Sequence, residues 1–141
     1  MRTKNDNEST TLARGVWESH LEGLARKACE LLTQTGGWSL AWDGTSPTEG
    51  YVVSEAGSEL KLTNPSYEGG LEYLRTHQSE VCGGYLFGGW LDSGTLYLDL
   101  SKVYPSLEGA VAAGHANNQL AIYHLEEGVT IPLPPCGWES I

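Results

Sequence analysis

The chain has 141 residues, with 18 Asp/Glu against 8 Lys/Arg and a formal net charge of −10. It is long enough to bury a core without covalent staples, and it contains no run of about 18 apolar residues, the length that spans a membrane. From residue 28 onward only Lys61, Arg75 and Lys102 face fourteen acids. Nucleic-acid affinity rests on cations that neutralise phosphates, so this surface is expected to repel nucleic acid and to suit a basic protein surface.

In chain order, residues 1–9 read as a flexible polar tail and residues 10–141 as one domain. Ser9 or Thr10 is placed to cap a helix over about 10–34. Trp17, Leu21, Leu24, Ala28 and Leu31 recur at helical spacing, which predicts one buried stripe. Thr35-Gly36-Gly37 ends the helix, and the period then changes to two. In WSLAW, Trp38, Leu40 and Trp42 share one face of a strand, so Trp17, Trp38 and Trp42 are all expected in the core. After the turn-rich DGTSPTEG, YVVSE reads as a returning strand and SELKL as a short third one. Asn64-Pro65 marks a helix start with Pro65 at its first position, and Tyr67, Leu71, Leu74 and Gln78 follow the helical period.

The stretch GGYLFGGWLDSGTLYLDL, residues 83–100, is the strongest hairpin signal. A reversal at Asp92-Ser93-Gly94-Thr95 sets Leu91 opposite Leu96. Phe87, Gly89 and Leu91 then face Leu100, Leu98 and Leu96 on an apolar side, which is core. Leu86, Gly88 and Trp90 face Ser101, Asp99 and Tyr97 on the other. Pro105-Ser106 caps a helix of small residues, SLEGAVAAGHANN, which Asn117-Asn118 ends. QLAIYHL and VTIPL form a last hairpin around Glu126-Glu127-Gly128. The order predicts a single α+β domain. Its sheet is mainly antiparallel, of about 6–7 strands, with three helices packed mostly on one side.

Taken together, GGW, PTEGYVVS, GGWLD, LYLDLS and NNQLAIYHL resemble a group of small acidic proteins from actinobacteria and their phages. The likeness covers roughly residues 36–125. It implies a phage or prophage accessory protein and supplies no catalytic residues.

Chemistry-bearing residues are sparse. His20, His77, His115 and His124 lack the short Cys/His spacings of a structural zinc site, so no metal and no cofactor is expected. Cys29, Cys82 and Cys136 form no C-x-x-C pair, which suits reduced thiols in the cytoplasm of a bacterial host. Cys82 with His115 or His124 and Asp99 is a conceivable nucleophilic set, but an ordinary packed thiol explains Cys82 as well. Gly83, Gly84, Gly88 and Gly89 lack the lysine and the strand-to-helix setting of a phosphate loop.

The face of Trp90, Tyr97 and Asp99 is the candidate site, unless the helix over SLEGAVAAGHANN covers it. Aromatic rings beside a glycine floor and one carboxylate suit a partner's anchor or a planar ligand. The leading expectation is a non-enzymatic accessory protein that binds and modulates a host protein, such as a defence component. The alternative is a protein that sequesters a nucleotide-like small molecule, and an enzyme using Cys82 or Asp99 ranks third.

Overall fold

The computed structural model describes the backbone of residues 2–134 and the side chains of residues 15–134; Cys136 lies outside them. Its elements are α1 (Arg2–Thr35), β1 (Gly37–Leu40), β2 (Tyr51–Ser54), β3 (Leu60–Leu62), α2 (Tyr67–Thr76) and α3 (Gln78–Cys82). They continue with β4 (Leu86–Asp92), β5 (Thr95–Tyr104), α4 (Leu107–Ala116), β6 (Ala121–His124) and β7 (Val129–Pro132). The seven strands form one sheet in the order β1-β4-β5-β2-β6-β7, with β3 also on β5, and every pairing is antiparallel. The α+β class is as expected, with four helices in place of three.

The β4–β5 hairpin organises the sheet. Ser93 and Gly94 both have positive φ, 52° and 83°, the tight reversal whose twist matches that of the flanking strands. The resulting register pairs Leu91 with Leu96, Gly89 with Leu98, Phe87 with Leu100 and Leu86 with Ser101, as the alternation predicts. β5 is long enough to serve β3 over its first half and β2 over its second. Buried Ser58 fills the junction: its Oγ accepts from the Leu100 amide at 3.0 Å, and its carbonyl accepts from the Tyr73 hydroxyl at 2.6 Å.

Strand alternation assigns each side chain to a face. Phe87, Leu96, Leu98 and Leu100 lie on one face, where they pack with Leu21, Leu24, Leu71 and Leu74 from α1 and α2. Following the pairing across β2 to β6 puts Val53 and Ile122 on that same face, packed with Ala110 of α4. Gly89 belongs there too, and the Trp38 ring occupies the space that a side chain at Gly89 would need. All helical packing is thus on one side. The opposite face carries no helix among the described residues.

Several local expectations need correction. α1 begins at Arg2, upstream of Ser9 and Thr10 and within the stretch expected as a tail; no Gly or Pro precedes Gly15 to interrupt it. Trp17 is not core. Full burial along α1 starts at Leu21, while Trp17 is 44% exposed and meets Trp42 at 5.8 Å between ring centroids. Trp38 and Trp42 pack against the core only partly buried. Leu91 is on the apolar face but lies beyond the core's edge, exposed. α2 starts at Tyr67 rather than at Pro65, and its cap is Ser66, whose Oγ accepts from the Gly69 amide at 3.0 Å. Helical geometry breaks at His77, between Leu74 and Gln78, where the imidazole packs on Tyr73 and sits 3.2 Å from Glu80; α3 follows as a separate turn.

Candidate functional site

The helix-free face is the candidate site. From β1 to β2 its floor presents Ser39, Gly88, Asp99, Ser101, Ser54 and Val52, all on the side opposite the core by strand alternation. These residues line a groove of about 920 Å³. Trp90 of β4, 48% exposed, stands at one end. Tyr123 of β6, 41% exposed, and Leu120, 89% exposed, stand towards the other, and Pro47 of the β1–β2 connector also borders the groove. α4 does not cover Trp90, because its small residues Ala110 and Gly114 pack against β2 and β6 from the other side.

Of the three residues singled out in the sequence, Trp90 and Asp99 line this groove and Tyr97 does not. Tyr97 instead supports Trp90. The two are direct cross-strand partners, with ring centroids 4.7 Å apart and planes 16° from parallel. Lys61 of β3 lies 5.7 Å from the centre of the Tyr97 ring, on the outer flank of this pair.

Asp99 is half-buried in the floor, and among the described residues it is the only Asp, Glu, Lys, Arg or His lining the groove. Its Oδ2 accepts from the Ser54 hydroxyl at 2.5 Å. Its Oδ1 accepts no hydrogen bond from the described residues and leans over Gly88, where an added Cβ would come within 2.6 Å of it. Gly88 is therefore the notch that admits the carboxylate. The sole sealed and unpartnered side-chain N or O atom among the described residues is Trp38 Nε1, so Asp99 Oδ1 is not closed off from solvent.

Burial pushes the Asp99 carboxyl above its ordinary value; the Ser54 hydroxyl pulls it down, and the negative charge of Glu59 adds to the rise. Unfolding returns the group to the ordinary value, so the folded state binds its proton more tightly. The stability this supplies is complete below the unfolded value and is lost as pH rises through the folded one. Ionisation of this carboxyl therefore opposes folding. Asp99→Asn is expected to raise the urea midpoint at pH 7, with the gain shrinking as pH falls towards about 4. Equal or lower stability of the variant at pH 7 would contradict this account of the floor.

The other chemical candidates do not assemble. His124 stacks on Tyr51 at 4.5 Å and lies 3.3 Å from Glu126, on the helix-covered face. His115 is on α4, its Nε2 2.7 Å from the Pro134 carbonyl oxygen. Asp99 projects from the opposite face to both, so no triad with Cys82 forms; Cys82 itself is exposed at the end of α3 rather than packed. Among the described residues no cluster of three or more His, Cys, Asp or Glu is arranged to hold a metal ion, and no helix is long and apolar enough to cross a membrane.

Sequence reading missed the far wall. Tyr123 and Leu120 join the site because β6 docks beside β2, a pairing of segments half the chain apart that no local pattern specifies. Ser54 was accessible to it, since YVVS alternates Tyr51 and Val53 with Val52 and Ser54. The fold and groove together define an α+β protein with one half-covered antiparallel sheet and an open aromatic trough. No family model, curated protein or solved structure matches the chain.

Proposed function

We propose that this chain is a non-enzymatic binding protein that engages a protein partner with a basic surface through its helix-free groove. With the resemblance to small phage-associated acidic proteins, the reading becomes a phage or prophage accessory factor. It would modulate a host protein, with a defence component as the leading class. The observation that carries it is the groove: exposed Trp90, Tyr123 and Leu120 standing around a floor that holds a single carboxylate. Large apolar side chains left in water around a concavity cost free energy unless a partner covers them, and Trp and Tyr are the side chains that most often dominate binding energy. The test is capture from an actinobacterial lysate with the wild type, Trp90→Ala and Leu107→Ala. Leu107 is an exposed residue of α4 on the other side of the sheet. A partner retained by Leu107→Ala and lost by Trp90→Ala supports the groove; the reverse pattern refutes it.

One observation favours sequestration of a small molecule as the second reading: about 920 Å³ lies within the range of ligand pockets. A nucleotide suits it poorly, because among the described residues no Lys or Arg lines the groove to meet its phosphates. A thermal-shift screen with nucleotides separates the two readings. The same charge argument predicts that duplex DNA is not shifted at about 0.1 M salt. A salt-sensitive band shift at micromolar protein would overturn it.

A further inference from the structure

The partner's chemistry is written in the floor of the groove. The Asp99 carboxylate takes up the space over Gly88: its Oδ1 lies 2.6 Å from where a Cβ there would stand, while the Asp99 and Trp38 carbonyl oxygens, at 3.6 Å and 3.7 Å, belong to the backbone ladder of the paired strands. The free acceptor here is Asp99 Oδ1, which takes no hydrogen bond from the described residues. Among the described residues no positive side chain lines the groove to neutralise it. Trp90 stands one cross-strand diagonal from Asp99, a separation of about 7–8 Å. One face of its indole is stacked on Tyr97, and the exposed remainder borders the groove.

We infer that the floor at Asp99 is the recognition pocket for an arginine side chain of the protein partner, its guanidinium against the free Oδ1 of Asp99 and its stem beside Trp90. The inference rests on the proposed binding role of the groove and names what that role recognises. Arginine fits better than lysine because its guanidinium is more weakly hydrated than an ammonium and stacks on an indole while it donates to a carboxylate. Neutralising the carboxylate also removes the charge that opposes folding at this position, so the strain in the free protein is relieved in the complex. The apolar wall of Leu120 and Tyr123 takes the residues flanking the arginine.

The test uses acetyl-arginine amide and its uncharged isostere acetyl-citrulline amide, followed by the amide NMR signals of Gly88, Gly89 and Ser54 in the full chain. The arginine compound is expected to shift these signals with an affinity about tenfold or more above that of the citrulline compound. Asp99→Asn, which keeps the shape, abolishes the preference, as does Gly88→Ala, whose Cβ displaces the carboxylate. Acetyl-leucyl-arginyl-leucine amide binds more tightly than acetyl-arginine amide, because it also reaches the apolar wall. Equal binding of the arginine and citrulline compounds, a preference that survives Asp99→Asn, or no shift of these signals up to the solubility limit overturns the inference. Equal affinity of the tripeptide and the single residue overturns the assignment to a protein segment and indicates a free guanidinium compound. A captured partner lost by Trp90→Ala but kept by Asp99→Asn sinks the arginine pocket and leaves the binding role standing; one kept by Trp90→Ala sinks the binding role itself.

Discussion

Phe87→Ala lowers the unfolding free energy by about 3–5 kcal/mol. Phe87 is wholly inaccessible to solvent and is the largest of the fully buried side chains. The Trp38 ring meets it edge-on at 5.2 Å and the Tyr73 ring near-parallel at 6.0 Å, so its removal empties a space bordered by three elements. β1, β4 and α2 supply these rings, and none can collapse into the gap without moving the sheet. The loss is a large share of the roughly 5–15 kcal/mol that stabilises a domain of this size. Urea denaturation followed by circular dichroism reads it as a lower midpoint at unchanged slope. Phe87→Leu retains much of the volume and is expected to cost about 1.5 kcal/mol or less. An unchanged midpoint for Phe87→Ala would mean that the two faces of the β4–β5 hairpin are reversed.

Those two faces were the most legible part of the fold. Asp92-Ser93-Gly94-Thr95 offers one turn, strict alternation leaves one register, and slipping it by a residue would put Leu96, Leu98 and Leu100 in water. The end of α1, the capping of α4 by Ser106 and the αL residue Asn118 were legible for the same reason: each is set by local backbone preference. Trp17 misled because helical spacing identifies a stripe but not how far along it the partner elements reach. The break at His77 misled because Leu74 and Gln78 keep the period across it, while the contacts that end α2 are tertiary.

The candidate site was half legible. Placing Trp90, Tyr97 and Asp99 together needed only the hairpin register. Whether α4 covered them could not be read, since a helix of small residues packs equally well on either side of a sheet; here Val53 and Ile122 draw it to the side away from Trp90. Tyr97 proved a support rather than a lining residue because neighbouring aromatic rings on paired strands satisfy one another first. Why Gly88 must be glycine became visible only with the Asp99 carboxylate leaning over it.

Trp90→Ala divides scaffold from site, and its two readouts move apart. Trp90 is 48% exposed and α4 lies on the opposite face, so the fold loses mainly the stacking with Tyr97, about 0.5–1.5 kcal/mol. Binding loses far more. A central aromatic anchor truncated to alanine costs about 2 kcal/mol or more, close to a 30-fold weaker dissociation constant. The decisive measurement is calorimetric titration of the purified partner into wild type and Trp90→Ala, with each protein's urea midpoint taken from the same preparation. The groove account predicts a dissociation constant at least about 30-fold weaker on a nearly unchanged fold. Wild-type affinity in Trp90→Ala, or a loss of binding that merely follows a stability loss of about 3–5 kcal/mol, would contradict it.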